Sequence, residues 1–515
     1  MIIKKNYLVA YTDENAPERE ITAKDENEKL LFKLNIRESK TGKPFYLDVE
    51  RFKGKSVFFY QDDSEFCFDG ETDDIPVPED ETQSFRPEMH YTVPYGWLND
   101  LNGLIFKDGK YHIFCQHNPL GTAWGNMHWF HSVTEDFINF EHIGDALFPD
   151  ASGTMFSGSA ICDEENVSGL GKGAILLYYT IAEYPNSSRA IEFSQGLAYS
   201  TDKIHFKKYE YNPIVPNIKG ENRDPKVVFV SEMNAYVMAL YLDKNEYCLL
   251  KSNNLLNWER FQTINISGDG ECPDLYYIED CKKWVFSGAS DYYIIGHFDK
   301  SGFIAEQKPL RFYRELDGRY SYAAQSFSGT KGRILRLTWE NVNPENGQCF
   351  CGQLSVPFEM KTVSMKSGAM RLKATLCRES ERKLKAVYNG SAPVYYINGS
   401  FIADFSFSES FNIDIDGYAL QISVENNTVS YNNKTIPLTL SGKLNLKLIV
   451  DKMSIEILAD DGLIFSVIKA LHKNDERTLK ISDGKAELKI FQIMTTPKRG
   501  GLNRGITPCY RPAPK

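Results

Sequence analysis

The sequence predicts an all-β chain with a propeller at its centre, and three observations predict it. Helical periodicity is scarce along the 515 residues. Short β-rich runs alternate with turns almost throughout, among them YHIFCQ, AILLYYT, AYVMALYL, KWVFSG, RILRLTW, FNIDIDGYALQISV and LNLKLIVDKMSIEIL. One turn motif recurs through the middle: a hydroxyl residue, then at steps of two an Asp or Asn, an aliphatic and an aromatic. It reads Thr134, Asp136, Ile138, Phe140, again Ser200, Asp202, Ile204, Phe206, and again Ser252, Asn254, Leu256, Trp258. Each copy follows a β-like run. The Asp or Asn suits a turn, and the aliphatic and aromatic alternate as an inward-facing pair does in a strand. Such self-similarity in a β-rich chain is the signature of propeller blades. Chance likeness among the hairpins of a sandwich is the alternative.

Taken in order, residues 1–69 read as short strands, for example 29–36 and 56–60. From Gly70 to Glu88 the chain reads GETDDIPVPEDETQSFRPE, acidic and proline-bearing, the composition of a linker. All six tryptophans (97, 124, 129, 258, 284, 339) follow in the middle of the chain and mark off a central domain. The tail is rich in Pro, Gly and basic residues and reads as irregular. Length alone predicts two to four domains.

Composition bounds the partners. With 42% hydrophobic and 25% charged residues the chain is an ordinary globular one. A formal net charge of −10 disfavours nucleic acid and anionic membrane surfaces. The first twenty residues lack the long apolar core of a secretory signal, and no run of about 18 apolar residues predicts a membrane span. Ten cysteines without a tight framework point to a reduced, cytoplasmic setting. Oligomeric state is not legible.

A second recurrence carries chemistry. Asp100, Asp224 and Glu271 each stand just before a strand–turn–strand unit: LNGLIF–KDGK–YHIFCQ, PKVVFV–SEMNA–YVMALY and CPDLYYI–EDCK–KWVFSG. The first strand of each propeller blade lies nearest the axis, so equivalent positions converge on one end of the channel. Carboxylates held together repel, and one is pushed toward protonation while another stays ionised. Glycoside hydrolysis needs that division: one group protonates the leaving oxygen while another attacks or stabilises the sugar carbon. Trp97, Trp124 and Trp129 lie close by in sequence and offer flat faces for sugar rings.

Blander readings exist for each acid. A lone Asp in a turn usually caps it or is solvated, and Asp224 between Arg223 and Pro225 fits a surface turn. Only the shared register favours a site. A calcium site is the chief rival use of three carboxylates, but no dense Asp-x-Asp loop accompanies them. Six of the nine histidines fall between residues 90 and 142 with no HExxH or tight HxH spacing, so they read as structural, and no metal is expected. The serines around Phe156–Ala160 lack nucleophile-elbow spacing, and no phosphate-binding loop stands out.

The stretch Trp97-Leu-Asn-Asp-Leu-Asn-Gly103 resembles WMNDPNG, the hallmark of glycoside hydrolase family 32, the invertase, inulinase and levanase family. CQHNP at 115–119, WGNMHW at 124–129, FSGSA at 156–160, RDP at 223–225, ECPDL at 271–275 and YAAQSF at 322–327 support it, in family order. The resemblance covers about residues 86–360 and continues more faintly to Thr496. It implies a five-bladed propeller followed by a C-terminal β-sandwich, with a small N-terminal β-rich domain outside the family core. The expected boundaries are 1–80 for that domain and its linker, 81–360 for the propeller, 361–497 for the sandwich and 498–515 for the tail.

The resemblance also implies roles: Asp100 as nucleophile of a retaining double displacement, Glu271 as general acid/base, Asp224 as transition-state stabiliser. Asn99, Gln116, Trp124, Phe156, Ser157 and Arg223 match positions lining a fructose pocket, and Trp97, Tyr322 and Trp339 are further candidates for touching the sugar. No cofactor is implied. The chain departs from the pattern at Leu98, at Leu101, where the family has proline, and at Phe358, where the family often has arginine. Leu101 removes a fixed φ and adds a backbone N–H. The expected activity is release of fructose from fructans, fructo-oligosaccharides or sucrose. A fructosyltransferase, a sucrose-6-phosphate hydrolase and a non-catalytic fructan-binding protein are the alternatives. Linkage preference and exo or endo attack are not legible.

Overall fold

A computed structural model describes residues 1–76, 84–184, 191–344, 347–438 and 444–494. Among them the one α-helix is the single turn Arg378–Glu381; apart from 3-10 turns at Glu50–Phe52 and Asp460–Gly462, the rest is strand, turn and loop. The chain is all-β. The expected tail, 498–515, lies outside the described residues.

Five consecutive antiparallel sheets form the centre. Blade I runs Gly96–Lys107, Lys110–Asn118, His128–Thr134, Phe140–Leu147. Blade II runs Thr154–Asp163, Ala174–Ala182, Phe193–Ser200, Lys207–Lys208. Blade III runs Arg223–Val230, Ala235–Asp243, Glu246–Ser252, Glu259–Asn265. Blade IV runs Asp274–Ile278, Lys283–Ser287, Tyr292–Asp299, Gly302–Ala305. Blade V runs Ser321–Ser326, Ile334–Glu340, Phe358–Ser364, Met370–Leu376. The first strand of each blade packs against the first strand of the next, and that of blade V against that of blade I, so the inner strands close a ring.

The recurrent turn links the third and fourth strands of blades I, II and III. In each copy one side-chain oxygen, on Asp136, Asp202 or Asn254, accepts the backbone N–H groups two and three residues on. The next residue, Phe137, Lys203 or Leu255, takes a φ of +59°, +70° or +62°. A short acceptor that closes an Asx turn is what makes this left-handed step affordable for a side-chain-bearing residue.

Blade V extends beyond the expected boundary at 360, which cuts through Phe358–Ser364. That strand pairs with Ile334–Arg336 on one side and Met370–Leu376 on the other. Strand alternation is the same in a blade and in a sandwich, so only the pairing partner tells them apart. Two six-stranded sheets follow and share one core that includes Phe405, Ile413, Leu420, Leu448, Ile457 and Leu479. At the other end, three- and four-stranded sheets enclose Leu8, Ile21, Phe32, Leu47 and Phe59. The expected linker starts too early, because Gly70–Thr72 pairs with Tyr7–Val9 as an edge strand.

Candidate active site

β-Bulges aim the site. The pairing of the first two strands slips between Leu98 and Leu101 in blade I, between Phe156 and Gly158 in blade II, between Arg223 and Lys226 in blade III and between Tyr322 and Gln325 in blade V. Asp100, Ser157 and Asp224 fall inside these slips, where an extra residue bends the strand and redirects a side chain. Blade IV brings Glu271 on the loop just before its first strand. Asp224, Glu271 and Cys272 have φ of +65°, +57° and +36°. Left-handed backbone at side-chain-bearing residues costs on the order of 1–3 kcal/mol each and gathers where geometry is functional.

Asp100 and Asp224 meet at one thiol, and Glu271 is near enough for its charge to act on both. Cys272 Sγ lies 3.5 Å from Asp100 Oδ2 and 3.5 Å from Asp224 Oδ2, so those two oxygens are no more than twice that distance apart. The Cys272 N–H donates to Asp224 Oδ2 at 2.9 Å, and the Asp224 N–H donates to Thr180 Oγ1 at 3.0 Å. Ser157 Oγ donates to Asp100 Oδ2 at 2.9 Å and accepts from Gln116 Nε2 at 3.0 Å. Glu271 accepts from the Arg223 guanidinium and from the Tyr322 hydroxyl. Arg223 stacks over the Tyr241 ring, 4.8 Å from its centroid.

The electrostatics are unequal. Burial, then Asp224 and Glu271, push the Asp100 carboxyl up to about 7, against the pull of Ser157 and Cys272. Burial also raises Asp224, opposed by Arg223. Burial acts on Glu271 too, but Tyr322 and Arg223 outweigh it and hold this carboxyl below its ordinary range. Asp100 is thus pushed toward protonation and Glu271 toward ionisation in the free site.

The remaining sequence candidates divide. Trp97 is buried and packs edge-on against the half-buried Trp339, with ring centroids 6.3 Å apart; Met127, Cys351 and Phe156 complete that cluster. Phe156 carries the edge of the Trp124 ring at 6.1 Å, and Trp124 is 61% exposed. Asn99 sits half-buried beside Asp100, but no hydrogen bond among the described residues ties it to the acids. Trp129 offers no face to a sugar: it is fully buried, with its Nε1–H on the Phe156 carbonyl. Leu98 and Leu101 are buried in the blade I core, so packing holds the turn where the family's proline is missing. Phe358 is buried against Phe465 of the C-terminal sheets, centroids 5.1 Å apart. Sequence reasoning passed over Cys272 and Thr180; the position of Cys272 next to Glu271 was the signal available.

Among the described residues one group has the spacing of metal ligands: His90, Glu340 and Glu456, buried where the propeller meets the C-terminal sheets. Protons balance the charge there. Burial and the neighbouring Glu456 drive Glu340 well above its ordinary value. Burial pushes the His90 imidazole down, but Glu456 and Asp451 outweigh it and hold it well above its ordinary value.

With this geometry in view, comparison with known proteins identifies the family. The profile of the glycosyl hydrolases family 32 N-terminal domain matches residues 90–374. The chain is 29% identical to a levanase of Bacillus subtilis (strain 168) over 488 residues, covering 81% of this chain and 71% of the relative. It is 27% identical to a sucrose-6-phosphate hydrolase of Escherichia coli, covering 77% and 92%. Its fold matches the crystal structure of exo-inulinase from Aspergillus awamori with a TM-score of 0.70 at 22% identity, covering 80% of this chain and 99% of that one. A profile spanning more than half the chain, with its acids on three inner blade ends, makes this protein a member of glycosyl hydrolase family 32.

Proposed function

We propose that the chain is a retaining β-fructosidase that cuts fructose from fructans, fructo-oligosaccharides or sucrose. The Asp100 carboxylate attacks the anomeric carbon while Glu271 gives its proton to the departing glycosidic oxygen. This leaves fructose esterified to Asp100. Glu271, now a carboxylate, takes a proton from water, the water oxygen attacks the same carbon, and Asp100 is released. Asp224, held by the Cys272 N–H, accepts from the sugar hydroxyls.

The observation that carries this reading is the meeting of Asp100 and Asp224 at Cys272 with Glu271 on the adjoining residue, each acid with its own polar partners. Productive chemistry needs Asp100 ionised and Glu271 protonated. A sugar entering the site strips water from Glu271 and competes for Arg223 and Tyr322, which moves the proton the required way. Asp100→Ala tests the assignment: a folded protein with no detectable release of fructose is expected, and wild-type rates in it sink the reading.

A second reading, hydrolysis of a phosphorylated sucrose, is favoured by Lys244 and Arg319, which line the cleft beside Glu271. The same cleft carries Asp269, so the cations are offset. Rates on sucrose and on its 6-phosphate, measured side by side, separate the two. The cytoplasmic setting stays part of this proposal and is tested by fractionating cells that express the chain.

A further inference from the structure

The N-terminal sheets grip the loop that presents Trp124. Leu120 inserts into their core. Thr12 Oγ1 donates to the Leu120 carbonyl at 3.0 Å. The Asn35 N–H donates to Asn126 Oδ1, and Asn126 Nδ2 donates back to the Asn35 carbonyl, both at 2.7 Å. Loop and domain therefore hold each other, and the exposed Trp124 ring meets Phe156, the neighbour of Ser157, whose hydroxyl donates to Asp100.

A cleft of about 200 Å³ lies in this junction, lined by Asp13, Glu14, Asn15, Arg37, Lys43 and Trp124, among others. A cavity of roughly 150 Å³ admits a benzene ring, so the cleft has room for a sugar ring. Arg37 is engaged in bracing its own domain, through Glu18 and the Glu14 and Ala16 carbonyls. Glu14 and Lys43 are different. Neither side chain makes a hydrogen bond or ion pair among the described residues; both line the cleft, and burial and then Asp13 raise the Glu14 carboxyl while Arg37 and Lys43 oppose them. Burial and then Glu14 push the Cys351 thiol up to about 12, so the Glu14 charge reaches the wall that carries Trp97.

We propose that the N-terminal domain completes a second sugar subsite, where Glu14 and Lys43 bind the hydroxyls of an inner residue of a fructan chain stacked on Trp124. This rests on the reading that terminal fructose is cut at Asp100, and it names the substrate class as oligomers longer than a disaccharide. A carboxylate that only accepts and an ammonium that only donates serve a polyol, whose hydroxyls do both. The flat, exposed Trp124 face supplies the apolar half of the contact. Arg37 and Lys43 against Asp13, Glu14 and Glu18 leave the lining net acidic, which disfavours a phosphate. Glu14 and Lys43 lie outside residues 90–374, the part the family profile matches, whereas Trp124 lies inside it.

The test uses the full chain and the variants Glu14→Ala and Lys43→Met, with melting temperature as the folding control. kcat/KM is measured on sucrose and on four-unit inulin-type and levan-type oligosaccharides. A loss of roughly tenfold on an oligosaccharide, carried by KM, with sucrose unchanged, is expected. Equal losses on all substrates, or no loss in either variant, overturn the proposal. If the wild type cleaves none of them, the proposed reaction fails, and calorimetric titration of the same oligosaccharides into Asp100→Asn protein still decides the subsite. There, roughly tenfold weaker binding with Glu14→Ala or Lys43→Met added supports it, and equal or undetectable binding overturns it.

Discussion

Removing the Ser157 hydroxyl should move the alkaline limb of the pH–rate profile upward. The profile of kcat/KM reports the free enzyme. In the proposed mechanism, productive molecules carry an ionised Asp100 and a protonated Glu271. Asp100 sits at about 7 and Glu271 below its ordinary range, so the productive fraction is level between the two values. It falls below the Glu271 value and again above about 7. The alkaline limb therefore belongs to Asp100. The Ser157 hydroxyl donates to Asp100 Oδ2 at 2.9 Å and favours the ionised form, so Ser157→Ala raises the Asp100 value. A hydrogen bond to a charged group is worth about 1.5–3 kcal/mol, and about 1.36 kcal/mol is one pH unit. The Cys272 thiol still donates to the same oxygen, which argues for the lower end, a shift of about one unit. The assay is fructose release from sucrose at low concentration across the pH range. Lost amplitude alone is no objection, since Ser157 is also one of the proposed pocket residues. An alkaline limb that stays put or moves down in Ser157→Ala refutes the electrostatic account.

Three further outcomes follow from the same contacts. Asp451 accepts from the N–H groups of Glu88, Met89, His90 and Lys452, from His90 Nδ1 and from Ser400 Oγ. Asparagine keeps one acceptor and turns its NH2 against the remaining donors, so Asp451→Asn should cost about 3–5 kcal/mol in urea unfolding followed by tryptophan fluorescence; under about 1 kcal/mol contradicts this. The raised His90 value contributes stability that is whole below its ordinary 6.5 and is lost as pH rises through the folded value. Wild-type stability should thus decline on the alkaline side, and a melting temperature that rises there contradicts it. Burial, then Asp100 and Asp224, hold the Cys272 thiol well above its ordinary value, whereas Cys67 is exposed. Iodoacetamide at mildly alkaline pH should therefore label Cys67 and spare Cys272 by peptide mass spectrometry, and equal labelling rates speak against the buried thiol.

Much of the fold is local and therefore legible in sequence. Strand alternation, turn chemistry and the three-fold recurrence at Asp136, Asp202 and Asn254 are set by residues within a few positions of one another. The equivalent stations of Asp100, Asp224 and Glu271 follow from the same periodicity. What sequence could not supply depends on partners far along the chain. Phe358–Ser364 belongs to blade V because of what it pairs with, not because of its own pattern. Trp129 and Trp124 read alike as aromatic residues near the acids, yet one is sealed under Phe156 and the other stands exposed. The upward push on the Asp100 carboxyl arises from burial and from Asp224, 124 positions away in sequence. The cleft holding Glu14 and Lys43 exists only because the N-terminal sheets dock on the loop after Asn118. Short-range propensity wrote the strands and turns; long-range contact, which no local pattern encodes, decided the electrostatics of the acids, the exposure and the docking.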